Sequence, residues 1–116
     1  MSEHKHILDE LRAPSRALRE QIPGMFEGYG QLHQAVFSDG ALDSKTKELI
    51  ALAIAVSKQC DGCIASHARA AERRGASEAE VAEALGVAVA MNGGPGTVHA
   101  PRAFEAFQEF AERRTT

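Results

Sequence analysis

Cys60 and Cys63 are the chain's only two cysteines, and His67 follows the second by four residues in Cys60-Asp61-Gly62-Cys63-Ile64-Ala65-Ser66-His67. On a helix each residue turns the chain by about 100°, so the three side chains fall within an arc of about 60°. Two thiols and an imidazole on one face define either a dithiol/disulfide redox centre or most of a metal site. A free thiol has a pKa near 8.5, and lowering it to roughly 6.5 takes about 2.7 kcal/mol. His67, one turn beyond Cys63, can take its proton or pair with its thiolate. The N–H groups at the start of such a helix favour negative charge on the first sulfur by about 0.3–1 kcal/mol.

Closing a disulfide at this spacing needs help. Helical neighbours three apart hold their Cβ atoms ~5–6 Å from each other, whereas a disulfide wants ~3.5–4.5 Å. Gly62 would permit the local tightening. A strained, exposed disulfide is the reducible kind. It suits a cycle in which one thiolate attacks a peroxide, becomes a sulfenic acid and is resolved by its neighbour. For metal, one Cys-x-x-Cys and one His fall a ligand short of the tetrahedral set of a structural zinc. No second pair at ligand spacing exists, so His99 or Glu48 would have to complete a site through the fold. A c-type haem is excluded because Ile64, and not His, follows Cys63. A thioredoxin-like domain is disfavoured because no strand pattern precedes the motif. A redox centre with no cofactor and no metal leads. A metal-binding or redox-sensing module without substantial turnover is the alternative.

The elements that must position these groups are helical. No alternating apolar/polar runs stand out, Trp is absent and Tyr occurs once, so an all-α chain with no sheet is expected. Its 116 residues fit one domain, 1–116, of about six helices. Ser2 is placed to cap a first helix carrying Ile7, Leu8 and Leu11. Pro14 is expected to interrupt it, with a short restart to about Gln21. After a Pro23-Gly24 turn, a helix to about Ser38 carries Phe26, Tyr29, His33, Val36 and Phe37. Asp43 and Ser44 are N-cap residues for the next, which runs to about Lys58. Its centre, Leu49 to Val56, is apolar all round, as in a helix surrounded by protein, and implies an oligomer. The motif helix follows to about Arg74, with Gly75 suited to its end. Ser77 and Glu80 match a capping box. Gly93-Gly94-Pro95-Gly96 is a breaker, and a last helix from about Val98 turns Phe104, Phe107 and Phe110 inward.

The net charge of −3 leaves no electrostatic footprint for nucleic acid. The eight-residue run Leu49–Val56 is too short to cross a membrane. Nothing after Met1-Ser2-Glu3-His4-Lys5 reads as a signal peptide, so a cytoplasmic location is expected.

Glu48, twelve residues before Cys60, completes a pattern with Cys60-x-x-Cys63-x-x-x-His67. Around it stand Leu42-Asp43-x-Lys45-Thr46-Lys47-Glu48-Leu49-Ile50, Gly75-Ala76-Ser77 and Met91-Asn92-Gly93-Gly94-Pro95. Over roughly residues 20–110 the chain resembles the alkylhydroperoxidase D-like group of the carboxymuconolactone decarboxylase superfamily. The resemblance implies an all-helical fold assembled as trimers or hexamers, and thiol-dependent reduction of a hydroperoxide. Electrons would come from an unidentified thiol or disulfide-reductase donor. By matched position, Cys63 is the attacking thiol, Cys60 its resolving partner, and His67 with Glu48 a proton relay. Members that decarboxylate a lactone lack the cysteine pair, so the name reaction is not expected here. Some members place a histidine or aromatic residue between the cysteines; Asp61-Gly62 offers no such group.

Spacing alone does not bring Glu48 to the motif. Twelve helical residues span ~18 Å, so the chain must fold back near Ser57-Lys58-Gln59. Simple antiparallel pairing then sets His67 opposite about Ala53. His33 is expected to be a packed core or interface residue. His99 is a weaker candidate for the pocket wall.

Overall fold

The protein's structure, a computed structural model, describes residues 3–115. It contains six helices: α1 (Glu3–Gln21), α2 (Pro23–Phe37), α3 (Ser44–Ser57), α4 (Asp61–Arg73), α5 (Glu78–Asn92) and α6 (Gly94–Thr115). Among the described residues there is no strand, as expected of an all-α chain.

Helices α3 to α6 enclose the core. Leu52 and Val56 from α3, Ile64 from α4, Val81 and Leu85 from α5, and Phe107 and Phe110 from α6 form one cluster. Burying each such side chain contributes about 1.5–3 kcal/mol. Between them lie alanines with little or no exposure, among them Ala68, Ala71, Ala103 and Ala106. These small residues let the helix backbones approach closely. A close approach occurs at Gly96, where a Cβ would stand 2.9 Å from the Val89 Cα.

Side-chain caps set the starts of α3, α4 and α5. The Asp43 side chain accepts from the Thr46 N–H at 2.8 Å and starts α3. Ser77 and Glu80 form the reciprocal capping box of α5. Gly75 and Gly93 take positive φ values of 85° and 66° and let α4 and α5 end sharply. Ser2 lies outside the described residues. The first N–H groups of α1 are met from another helix: the Glu109 carboxylate accepts from His4 N at 3.2 Å and Lys5 N at 3.0 Å.

Three local expectations change. Helix α1 runs unbroken through Pro14. The proline's φ matches the helix and its missing hydrogen bond falls on an exposed position, where water can satisfy the freed carbonyl. Pro23 is the start of α2 and not a separate turn, as suits its position in a first helical turn. In the glycine-rich breaker, Gly93 alone makes the bend, and Gly94-Pro95-Gly96 already belong to α6. Within the single chain, helix α3 is covered only in part. Leu52, Ala55 and Val56 are buried, but Ile50 and Ile54 are about half exposed.

Candidate redox active site

Helices α3 and α4 form a hairpin, and its turn places the cysteines. Lys58 N donates to Ile54 O at 2.9 Å and Cys60 N to Ala55 O at 3.2 Å. Between them Gln59 takes φ 55°, the left-handed conformation that such a helix ending requires. Cys60 then leaves the turn extended, with φ −101° and ψ 104°, as the N-cap of α4. Its sulfur accepts from the Cys63 N–H at 3.2 Å. The two cysteines are joined as a disulfide with Cα atoms 5.2 Å apart. The tightening therefore comes from the extended Cys60 backbone, which stands outside the helix, and not from Gly62. Gly62 has a different use: a Cβ there would meet the Leu11 side chain of α1 at 3.3 Å.

His67 lies on the same helix, one turn after Cys63. Its Nδ1 is 2.8 Å from Glu48 Oε1. Glu48 is 3% exposed, and the His67 side chain is 20% exposed. With the carboxylate ionised, Nδ1 carries a proton and donates it to Glu48. The neutral ring then presents Nε2 as a base. The contact reaches higher on α3 than simple antiparallel pairing puts it, because a glutamate and a histidine side chain together bridge the offset. One turn before Glu48, Lys45 bonds Glu80 of α5 at 2.9 Å and ties the start of α3 to α5. That hydrogen bond raises the Lys45 pKa.

Helix α2 contributes a ring cover. His33 stacks on Phe37 with ring centroids 4.3 Å apart. The His67 ring lies 5.6 Å from Phe37 and 6.2 Å from His33, nearly parallel to both. His33 is thus exposed and lies over the site, not packed in a core. The 29/33/37 aromatic spacing is the available signal, but it fixes a helix face and not what that face covers. Beside these rings is a cavity of about 660 Å³ whose walls include Tyr29, His33, Phe37, Ser44, Glu48 and Arg74. The Ser44 hydroxyl is buried there without a hydrogen-bond partner. His99, half-buried on α6, is not among its lining residues. As for metal, among the described residues the side chains close enough to share an ion are Glu3, His4 and Glu105, and none of the motif residues is among them.

A helical bundle carrying a Cys-x-x-Cys pair beside a Glu–His couple defines a dithiol/disulfide class of protein. The family profile of the carboxymuconolactone decarboxylase family matches residues 23–106, and the chain belongs to that family. An uncharacterised protein of Cupriavidus necator is 36% identical over 103 residues, 89% of this chain and 91% of its own length. A carboxymuconolactone decarboxylase family protein of Legionella pneumophila, solved without ligand, superposes with a TM-score of 0.92 at 43% identity. That match covers 96% of this chain and 99% of the other. A Thermotoga maritima member superposes with a TM-score of 0.80 at 29% identity, covering 95% and 93% of the two chains. That protein carries a suggested role in an antioxidative response.

Proposed function

We propose that the protein is a thiol-dependent peroxidase that reduces hydroperoxides through Cys63 and Cys60. The observation that carries this is the bond from His67 to buried Glu48, one helical turn from an oxidisable cysteine pair. In the reduced protein, His67 Nε2 takes the Cys63 proton. The thiolate attacks the outer peroxide oxygen, the O–O bond breaks, and the alkoxide leaves with the proton returned by His67. Cys63 becomes a sulfenic acid. Cys60 attacks that sulfur, the S–S bond forms and water leaves. A donor dithiol then restores both thiols and is itself oxidised to a disulfide.

The burial pattern supports the division of roles. Cys63 is exposed and Cys60 half-buried, so an incoming peroxide or donor thiol reaches Cys63 more readily. Cys60, at the N-cap, is held where an N–H can stabilise its thiolate. That makes it the better leaving group during reduction. The antioxidative role suggested for the Thermotoga relative agrees with this chemistry. A cycle that returns to thiols fits a reducing compartment such as the cytoplasm.

The test is a titration of fully reduced protein with cumene hydroperoxide, followed by intact mass. The expected product has lost about two hydrogens as an intramolecular disulfide. Thiols left unchanged by excess peroxide would refute the proposal. A reduced protein that held zinc through its thiols and consumed no peroxide would support the metal-binding module instead.

A further inference from the structure

Away from the disulfide, α1, α4 and α6 surround a second cleft of about 330 Å³. Five of the chain's 13 Lys and Arg residues line it: Lys5, Arg12, Arg69, Arg73 and Arg113. Phe110 supplies an apolar wall, and Glu72 is the acid in the lining. This concentration stands against a net charge of −3 for the whole chain.

Among the described residues, the two arginines of α4 have no ion-pair partner of their own. Asp9 serves both Lys5, at 2.6 Å, and Arg12, at 3.5 Å. Among the described residues Arg69 and Arg73 have no carboxylate within ion-pair distance, and Asp9 offsets Arg69 only from farther away. Arg69 is half-buried. Burial first, and then the like charges of Arg73 and Arg12, lower its pKa. Arg69 and Arg73, one helical turn apart and with no acid at ion-pair distance among the described residues, repel each other unless an anion joins them.

We propose that this cleft binds a phosphate-type oxyanion, free or as part of a small phosphorylated molecule. A planar carboxylate is satisfied by one guanidinium fork. Arg12 approaches from α1 and Arg69 and Arg73 from α4, and a tetrahedral oxyanion can accept forks from more than one direction. Bound there, it ties α1 to α4, the helix whose first turn carries the disulfide. The site is independent of the peroxidase proposal and is tested without measuring turnover.

The experiment titrates the full chain with inorganic phosphate at constant ionic strength, by calorimetry and thermal melting. Phosphate is expected to bind and raise the melting temperature, while chloride and acetate at matched ionic strength do not. Arg69→Gln and Arg73→Gln are each expected to weaken binding by about tenfold or more, because each removes one charge-assisted fork from the anion. Arg69→Lys keeps the charge, removes the fork and is expected to weaken it too, with helicity unchanged. Arg102→Gln, exposed on α6 outside the cleft, should leave it unaltered. An equal response to acetate or chloride would overturn the proposal, as would full phosphate binding in the folded Arg69→Lys and Arg73→Gln variants. If phosphate binds as expected, glucose 6-phosphate binding more tightly than inorganic phosphate identifies a phosphorylated metabolite as the source; the reverse order identifies the free ion.

Discussion

Glu48 Oε1 lies 2.8 Å from His67 Nδ1 across nineteen residues of chain, joining the first turns of α3 to the middle of α4. Glu48 is almost fully buried and His67 is not, so the contact links the interior to the edge of the site. A buried carboxylate beside an imidazole selects the tautomer that leaves Nε2 unprotonated. Positioned acid–base groups of this kind contribute about 10²–10⁴-fold to a rate. Glu48→Gln preserves shape and one acceptor but removes the charge that favours imidazolium. It is expected to slow Cys63 oxidation by about tenfold or more, with the far-UV spectrum retained. Stopped-flow oxidation at the wild-type rate would remove Glu48 from the relay.

The two cysteines should fail in different ways. Cys63→Ser is expected to abolish thiol-dependent turnover of an organic hydroperoxide. Cys60→Ser should still consume a single equivalent and then stop, because no resolving thiol remains. A sulfenic-acid trap is expected to label Cys63 in that variant. Labelling at Cys60 in Cys63→Ser, with turnover preserved, would reverse the assignment.

Acid should weaken the scaffold through two surface carboxylates. Thr46, bonded to the Asp43 side chain, lowers the Asp43 pKa. The Ser77 backbone N–H, and then Lys45, lower that of Glu80. A carboxylate with a depressed folded pKa stabilises the fold above its unfolded pKa, and that contribution is lost as pH falls through the folded value. The melting temperature should therefore hold near neutrality and drop below about pH 4. Glu80→Gln and Asp43→Asn should each flatten that acid limb, as melts across pH would show.

Two helical glycines should respond oppositely to alanine. At Gly96 the added Cβ would stand 2.9 Å from the Val89 Cα and 3.3 Å from the Ala88 carbonyl oxygen, both backbone atoms. Gly96→Ala must push α5 and α6 apart, costing about 1–3 kcal/mol. At Gly86 a Cβ would meet nothing within 4 Å. Gly86→Ala should stabilise by about 0.5–1 kcal/mol through helix propensity. Paired thermal melts decide both signs.

The chain's order is readable where local chemistry acts alone. Asp43, Ser77 and Glu80 announce their caps, and the spacing of Phe104, Phe107 and Phe110 marks the face of α6 that turns to the core. The Cys60/Cys63/His67 cluster is equally local. What local pattern does not carry is the third dimension. Pro14 continues a helix because its freed carbonyl faces outward, which composition does not reveal. His33 covers His67 because α2 folds across the hairpin, a contact between residues far apart in sequence. The Glu48–His67 bond likewise depends on how α3 and α4 align, and twelve residues of spacing do not determine that alignment. Arg12, Arg69 and Arg113 are scattered along the chain and meet only in the folded protein.

The last prediction concerns surfaces left uncovered. Ile50 and Ile54 are one helical turn apart on α3 and remain 45% and 50% exposed. On α5, packed beside it, Val87 is 63% and Met91 80% exposed, again one turn apart. Helix α2 leaves Met25, Tyr29, Leu32 and Val36 exposed along one stripe. Adjacent apolar residues on neighbouring helices mark an association surface more often than scattered single ones do. The chain is therefore expected to form a homo-oligomer, with a mass in solution that is a multiple of 12.4 kDa. Ile54→Glu should place a charge in that surface and shift the mass toward the protomer, with helicity kept. Light scattering that finds the wild-type chain monomeric at micromolar concentration would exclude the assembly. An oligomer indifferent to Ile54→Glu would move the interface to the α2 stripe, where Leu32→Glu should dissociate it.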